Sequence, residues 1–358
     1  MRTAIVLTAV LGCTVLTVVP QLQSDPLAGG IARWSAVLAS DTRTDTLWLD
    51  AKKSAQPVLA QAEEELRQGL RLVALERLMA VEQTLGAALY AIERPAEERA
   101  QLAAFEAEWK RMGSALADVV SPGTASKDLA SPVRPAFVRA LAELSTSQAR
   151  EAYAASLEYG RNTEPQYGLY YLGAAQAHRK FVDVARALPA GPSLRAPAVR
   201  GLSAEIDALQ GDLLAAYQPP AAIDRHSEFI VASAALKEAR ELDAAGRHHA
   251  ALLRYLQAAQ RVAALRPAAS TNAADVKRRL EETTRRFGTD VDHSIGRFFI
   301  ERAQSALASS PAAAGDQVAA AIVAEIVPRY FAALEPPRPA KASDKPRVTV
   351  TLVRWPFT

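Results

Sequence analysis

Apolar residues recur along most of the chain at every third or fourth position, the spacing of a single helix face. The clearest run is Leu70, Ala74, Leu78, Val81, Leu85, Ala88 and Ile92, with Arg71, Glu76, Arg77, Glu82 and Gln83 between them. It predicts an amphipathic helix in a region that turns periodic from Lys52 onward. The helix stops at Glu93-Arg94-Pro95, because proline disfavours helical geometry in the residue before it. A second helix is predicted over Ala96–Val120, with Leu102, Phe105, Trp109, Met112 and Leu116 on one face. Others follow over Ala136–Tyr159, Gln166–Leu188, Ala196–Tyr217, Ser227–Ala245, His249–Leu265, Asp275–Ser309 and Gly315–Leu334. Gly288 and Gly296 bend or break the next-to-last of these, and Pro328 kinks the last. Successive helices with short connections pack as antiparallel neighbours.

Two of these helix pairs share a finer signature. After Gly69, Ala74, Leu78 and Val81 lie five, nine and twelve residues on; after Gly246, Ala251, Tyr255 and Ala258 hold the same offsets. This resembles the turn and second helix of a tetratricopeptide repeat, where glycine closes the turn and small residues let helices approach. Ala239, Leu242 and Pro267 extend the likeness around the second unit, and Tyr170, Leu172-Gly173 and Ala185 resemble fragments of a third. The chain departs from the family at Arg71 and His248, where an aromatic residue is usual, and no thirty-four-residue phase persists. The expected fold class is therefore all-α: antiparallel helical hairpins stacked as an irregular tetratricopeptide-like solenoid or bundle. Such a stack presents a concave face that holds a partner.

The two ends differ from this body. Arg2 precedes a charge-free run from Ala4 to Val19, a basic then apolar pattern that resembles a bacterial export signal. Within it, Val10-Leu11-Gly12-Cys13 resembles a lipoprotein signal, with Cys13 the residue to be lipidated. Ordinary cleavage, lipidation at Cys13 and retention as an anchor all place the body outside the cytoplasm. At the other end, Glu335-Pro336-Pro337-Arg338-Pro339 closes the last helix and a Lys-containing linker follows. Val348, Val350 and Leu352 then alternate with Thr349, Thr351 and Val353, predicting one short C-terminal β-strand. A lone strand needs a mate. Leu47-Trp48-Leu49, a partner's sheet edge, or a second copy of the chain could supply it, with Trp355 as an apolar anchor. The resulting division is 1–24 signal or anchor, 25–50 irregular segment, 51–335 helical-hairpin domain, 336–346 linker and 347–358 strand and tail.

Composition narrows the chemistry. The 358 residues include 42 Lys+Arg and 39 Asp+Glu, a formal charge of +3 that is too balanced for a general nucleic-acid binder. One cysteine excludes an internal disulfide and any multi-thiolate metal site. No G-x-G-x-x-G, P-loop, G-x-S-x-G, H-E-x-x-H or Cys-x-x-Cys motif occurs. His248 and His249 are neighbours pointing about 100° apart on a helix, so they do not chelate as an i,i+4 pair would. His178 is expected to be half-buried beside Phe181, and His226 precedes a serine suited to capping. His293 would need ligands beyond Asp290 and Asp292 to hold a metal. Carboxylates such as Glu63-Glu64-Glu65 sit beside arginines at helical spacing, as on a solvated face.

The expectation is binding without catalysis, cofactor or metal: an exported or membrane-anchored scaffold for protein partners in the bacterial envelope. Tyr170, Tyr171, His248 and Tyr255 are the candidate contact positions of the stack, and Val348, Val350, Leu352 and Trp355 those of the strand. Self-association through the strand is a further expectation. An envelope solute- or polymer-binding protein with a pocket lined by tyrosines and arginines is the alternative. A helical enzyme with scattered Glu, Asp, Tyr and His is the remaining one.

Overall fold

The computed structural model describes residues 25–120, 135–188, 194–195, 197–218, 223–266, 272–309 and 312–334. Cys13, Val348, Val350, Leu352 and Trp355 lie outside the described residues, as do the linker and the C-terminal strand. Within them every extended element is a helix. In chain order these are α1 (Pro26–Ala39), α2 (Thr46–Arg67), α3 (Arg71–Ile92), α4 (Ala96–Arg99), α5 (Leu102–Ala115), α6 (Ala117–Val120), α7 (Ala136–Asn162) and α8 (Pro165–Ala187). Then follow α9 (Ser203–Ala216), α10 (His226–Ala244), α11 (His248–Leu265), α12 (Ala273–Arg285), α13 (Ser294–Ala308), α14 (Ala312–Ala321) and α15 (Val327–Leu334).

Neighbouring helices run in the order α2, α3, α8, α7, α11, α10 and α9. A second layer of α13, α14 and α15 lies across α3, α7 and α11. Most of the apolar stripes read from the sequence face this core. Leu78, Leu85, Leu141, Phe137, Leu252, Leu256 and Phe298 are fully buried in one continuous cluster. A smaller cluster gathers Phe105, Met112, Leu169 and Leu172 where α5 meets α7 and α8. Where α3 meets α8 the backbones nearly touch: a Cβ on Gly173 would lie 2.6 Å from Tyr90 Cβ and 2.7 Å from the Ala87 carbonyl. Glycine is required there because the obstacles belong to the neighbouring helix itself.

The two glycine signatures close turns of one geometry. Gly69 and Gly246 have φ +79° and +73°. Gly69 N–H donates to Leu66 O at 3.1 Å and Leu70 N–H to Glu65 O at 2.8 Å; Gly246 N–H and Arg247 N–H do the same to Asp243 O and Leu242 O, at 3.0 and 2.9 Å. This pair of bonds is the Schellman motif, which satisfies the last carbonyls of the first helix. The residues at the shared offsets, Ala74, Leu78, Val81, Ala251, Tyr255 and Ala258, are all buried.

Four helices begin on residues that cannot cap them, and carboxylates or hydroxyls from elsewhere do it instead. Glu301 on α13 accepts the Leu72 and Val73 N–H groups at 2.7 and 3.2 Å, the donors an N-cap side chain of α3 would satisfy. Glu143 on α7 accepts Ala250 N–H of α11 at 3.1 Å. Asp292 accepts Ala136 N–H and Ser294 Oγ accepts Phe137 N–H, the latter at 2.9 Å, at the start of α7. Asp243 accepts Leu202 N–H at 3.0 Å before α9. Burial, with Glu65 close by, pushes the Glu301 carboxyl up to about 7 even though the two N–H groups favour its charged form.

Several expectations are corrected. The segment 25–50 is not irregular: Asp25 and Asp45 cap α1 and α2 by accepting Leu27 and Leu47 N–H at 3.2 and 3.0 Å. Leu27, Ile31 and Trp34 form the buried stripe of α1 despite Gly29 and Gly30. Leu47-Trp48-Leu49 is the first turn of α2, with Trp48 fully buried and its Nε1 donating to Asp41 at 2.7 Å, so it offers no strand edge. The helix expected over Ala96–Val120 is three pieces, and Leu102 is exposed. The one expected from Ala196 starts at Ser203, because Arg195 instead exchanges backbone bonds with Asp290 and Asp292 at 3.3 and 2.9 Å. Asp275–Ser309 breaks as expected at Gly288, between α12 and α13, whereas Gly296 lies within α13.

The kink at Pro328 is a π-helical segment, Ile322–Ile326, in which Val327 N–H reaches back to Ile322 O. The extra residue relieves the clash between the proline ring and the carbonyl four residues earlier. The run Ala314–Leu334 is apolar and long enough to cross a membrane by length and composition, with mean hydropathy 1.4. Ala319, Ile322, Ile326, Val327, Tyr330 and Ala333 of this run belong to the core.

Two predictions follow from turns and caps. Gly246→Ala places a Cβ in a left-handed turn with open space around it, so only backbone strain acts; it lowers unfolding free energy by about 1 kcal/mol. Gly246→Asn loses less in the same denaturant titration. For Glu301, a folded pKa raised above the unfolded value of 4.5 gives stability that is full below 4.5 and lost as pH rises towards 7. Glu301→Gln keeps an acceptor and flattens that limb in unfolding midpoints measured from pH 4.5 to 7.5. Glu301→Ala loses the cap, about 1 kcal/mol, throughout.

Candidate functional site

Helix α11 is walled in by α7, α9, α10, α14 and α15. Tyr255, Ala258, Val262 and Leu265 face that core. Beyond His248 and His249 in its first turn, the residues of α11 that escape full packing are Arg254, Gln260, Arg261, Ala263 and Ala264, which with buried Gln257 share one side of the helix. They form one wall of a groove of about 790 Å³. Opposite walls come from α12 (Asp275, Val276, Arg279), from α14 and the π-helical segment (Gln317, Val318, Ala321, Ala324, Glu325), and from Glu76 of α3 and Arg302 of α13. Alanines contribute much of the lining, and their short side chains leave the space between the helices unfilled.

The groove's charge is uneven. Arg254, Arg261, Arg266, Arg279 and Arg302 line it against Glu76, Asp275 and Glu325, an excess of 5 − 3 = +2. At one end Arg266 Nη1 donates to both Glu325 oxygens at 3.0 and 2.9 Å, a bidentate pair. At the other, Arg254 Nε lies 2.8 Å from Glu238, and its Nη1 donates to Gln257 at 2.9 Å. Gln257 Nε2 in turn donates to Glu76 Oε1 at 2.7 Å. Arg302 lies 3.5 Å from that same oxygen, with its guanidinium 5.5 Å from the Phe298 ring centroid. Among the described residues Arg261 and Arg279 have no ion-pair partner. Burial, together with Arg302 and Arg254, pulls the Arg261 guanidinium below its ordinary value.

The sequence-predicted contact residues lie elsewhere. Tyr171 stacks on Tyr159 with centroids 4.5 Å apart and meets Tyr170 edge-on at 5.9 Å. Both are half-buried, while Tyr159 and Tyr167 are exposed at the α7–α8 turn. Tyr153 stacks on Trp109 at 5.0 Å. No tyrosine lines the arginine groove, so the expected tyrosine-and-arginine pocket is not formed there. Tyr255 is not an exposed contact: it is 2% exposed, because its offset from Gly246 turns it into the core, where its hydroxyl accepts from Arg329 at 3.0 Å. His248 is half-exposed and lies 3.0 Å from Asp243, the carboxylate that also caps α9.

The other histidines are structural. His178 is buried rather than half-buried and bonds Gln83 at 2.9 Å. His226 is the first residue of α10 and bonds the Tyr217 hydroxyl at 2.8 Å. His293 lies 2.9 Å from the Tyr330 hydroxyl. Among the described residues no group of three His, Cys, Asp or Glu side chains could hold a metal ion. Arg254, Arg261, Arg302 and Glu76 were missed by sequence reasoning. Arg254 and Arg261, seven residues apart on an otherwise apolar helix, are the readable signal. No protein family, no curated protein and no solved structure matches the chain.

Burial holds His178 and His249 at about 4, well below the ordinary 6.5. A depressed histidine contributes stability above 6.5 that is lost as pH falls towards 4. The double variant His178→Gln/His249→Gln is therefore expected to unfold at lower pH than the native chain in an acid titration followed by circular dichroism.

Proposed function

We propose that the chain is a non-catalytic binding scaffold of the bacterial envelope, exported or held at the membrane by its N-terminal segment. Its helical hairpins act as an irregular tetratricopeptide-like stack, and the arginine-lined groove receives a protein partner. The observation that carries this reading is the one unpacked face of α11: a central helix, buried elsewhere, keeps polar and cationic residues facing open space. An unfilled, charged groove is costly to maintain in a packed helical core unless something occupies it. The basic-then-apolar start with Cys13 supports the location, and the turn signatures at Gly69 and Gly246 support the repeat kinship. The stacked tyrosines of the α7–α8 turn offer a second contact area, and the alternating run 347–354 adds to a sheet edge of the partner or of a second copy.

A second reading, an envelope solute- or polymer-binding protein, is favoured by the groove's size, which falls in the range of roughly 300–1,000 Å³ that small-ligand pockets occupy.

In-host crosslinking separates the two. A photoreactive residue replaces Gln260 in the groove, or Lys277 elsewhere on the chain as a control, with an affinity tag in the 336–346 linker. One adduct of defined mass from Gln260, lost on Arg261→Glu and absent from Lys277, is the expected result. Adducts from both positions alike, or none from Gln260, refute the partner reading.

A further inference from the structure

We infer that Arg254, Arg261 and Arg302 form an oxyanion subsite in this groove, built for a phosphate or carboxylate ligand group. The inference rests on reading the groove as a binding site and goes on to name the chemistry it recognises. Arg254 and Arg261 stand two helical turns apart on α11, and Arg302 faces the same space from α13. The carboxylates at hand do not balance them. Glu238 is engaged by Arg254. Glu76 spends its near oxygen on Gln257 at 2.7 Å and meets Arg302 only at 3.5 Å. Arg261 makes no ion pair among the described residues and feels Glu76 only from a distance.

A purely structural network would place an acid beside the third cation, as the far end of the groove does for Arg266 with Glu325. Here three arginines line one groove, and Arg302 and Arg254 together repel the Arg261 guanidinium against the attraction of Glu76 alone. Arginine stays charged under such pressure. The remedy is an anion from outside, and planar guanidinium forks match phosphate and carboxylate oxygens in pairs. Gln257 and Gln260 add neutral donors to the same wall. Three arginines against Glu238 and Glu76 leave 3 − 2 = +1, a charge that an anionic oxygen group offsets.

Titration calorimetry on the purified full-length chain in detergent tests this with pyrophosphate, inorganic phosphate and citrate as probes, at fixed chloride. Pyrophosphate is expected to bind saturably and more weakly as salt rises. Stronger binding of citrate than pyrophosphate would assign the subsite to carboxylates; the reverse assigns it to phosphates. Arg261→Gln and Arg302→Gln each weaken binding about tenfold or more. Arg278→Gln, on an exposed arginine paired with Asp275 and Glu282, leaves it unchanged. Arg261→Gln also raises the melting temperature of the ligand-free chain, since it removes an uncompensated charge; a structural arginine would lower it. No binding of any probe, or equal loss with Arg278→Gln, overturns the inference. A Gln260 crosslink to a partner that persists without anion binding would sink the subsite and leave the binding-scaffold reading standing. Loss of both removes the two together.

Discussion

Glu301 reaches from α13 to the first turn of α3 and accepts two backbone N–H groups that no neighbour in sequence can satisfy. The same device recurs at α7, α9 and α11. A helix start buried without an acceptor leaves unsatisfied donors, at roughly 1–3 kcal/mol for each. In this chain Leu70, Pro135, Leu202 and Arg247 occupy the N-cap positions, and none makes a side-chain cap. Each of these helices therefore starts comfortably only when another element is docked against it. Local helix formation and tertiary assembly become one event, and the order of the stack follows: α13 must sit on α3, α7 on α11, α10 beside α9.

That dependence explains which parts of the fold could be read from the chain. The helices with strong stripes, such as Leu70 to Ile92 and Ala251 to Leu265, emerge from periodicity because large apolar residues recur at helical spacing, although both helices are buried on more than that one face. The glycine turns emerge because a left-handed residue can be filled cheaply only by glycine. The start of α9 does not, because just before it Arg195 forms a backbone bridge to a segment about ninety-five residues away. Segment 25–50 was legible in principle: Asp25-Pro26 and Asp45 are ordinary start signals, masked by two glycines in a short helix. Tyr255 holds the same offset from its glycine turn as Leu78, and both are buried, so the shared offset was a better guide to its place than its being a tyrosine.

The candidate site was harder to read for a different reason. Its charges come from α3, α11, α12, α13 and the π-helical segment, so no window of sequence contains them. Arg254 and Arg261 look like any solvated pair on a helix until α11 is seen to be enclosed on its other sides. The tyrosines attracted attention because they cluster in sequence between 153 and 171, yet they divide among stacking partners at Trp109, Tyr159 and one another. Clustering along the chain is a poor guide to convergence where helices distant in sequence, such as α3 with α8 and α7 with α11, also pack together.

The caps and the groove are parts of one arrangement. Glu301 and Arg302 are consecutive residues: the first fixes α13 on the amino end of α3, and the second thereby faces Glu76 one turn further along α3. Ser305, one turn on, bonds Glu65 at 2.7 Å and secures the same contact from α2. On the opposite wall, Glu143 holds the amino end of α11 and sets the register that turns Arg254 and Arg261 outward. A docking bond worth about 1 kcal/mol thus decides where a cation stands. The helices that carry these guanidinium groups are docked by carboxylates acting on helix ends, while Glu238 and Glu76 pair with Arg254 and Arg302 and leave Arg261 without an ion pair among the described residues. An arrangement of that kind keeps its positive charge available while remaining rigid, which is what a preorganised site for an anion requires.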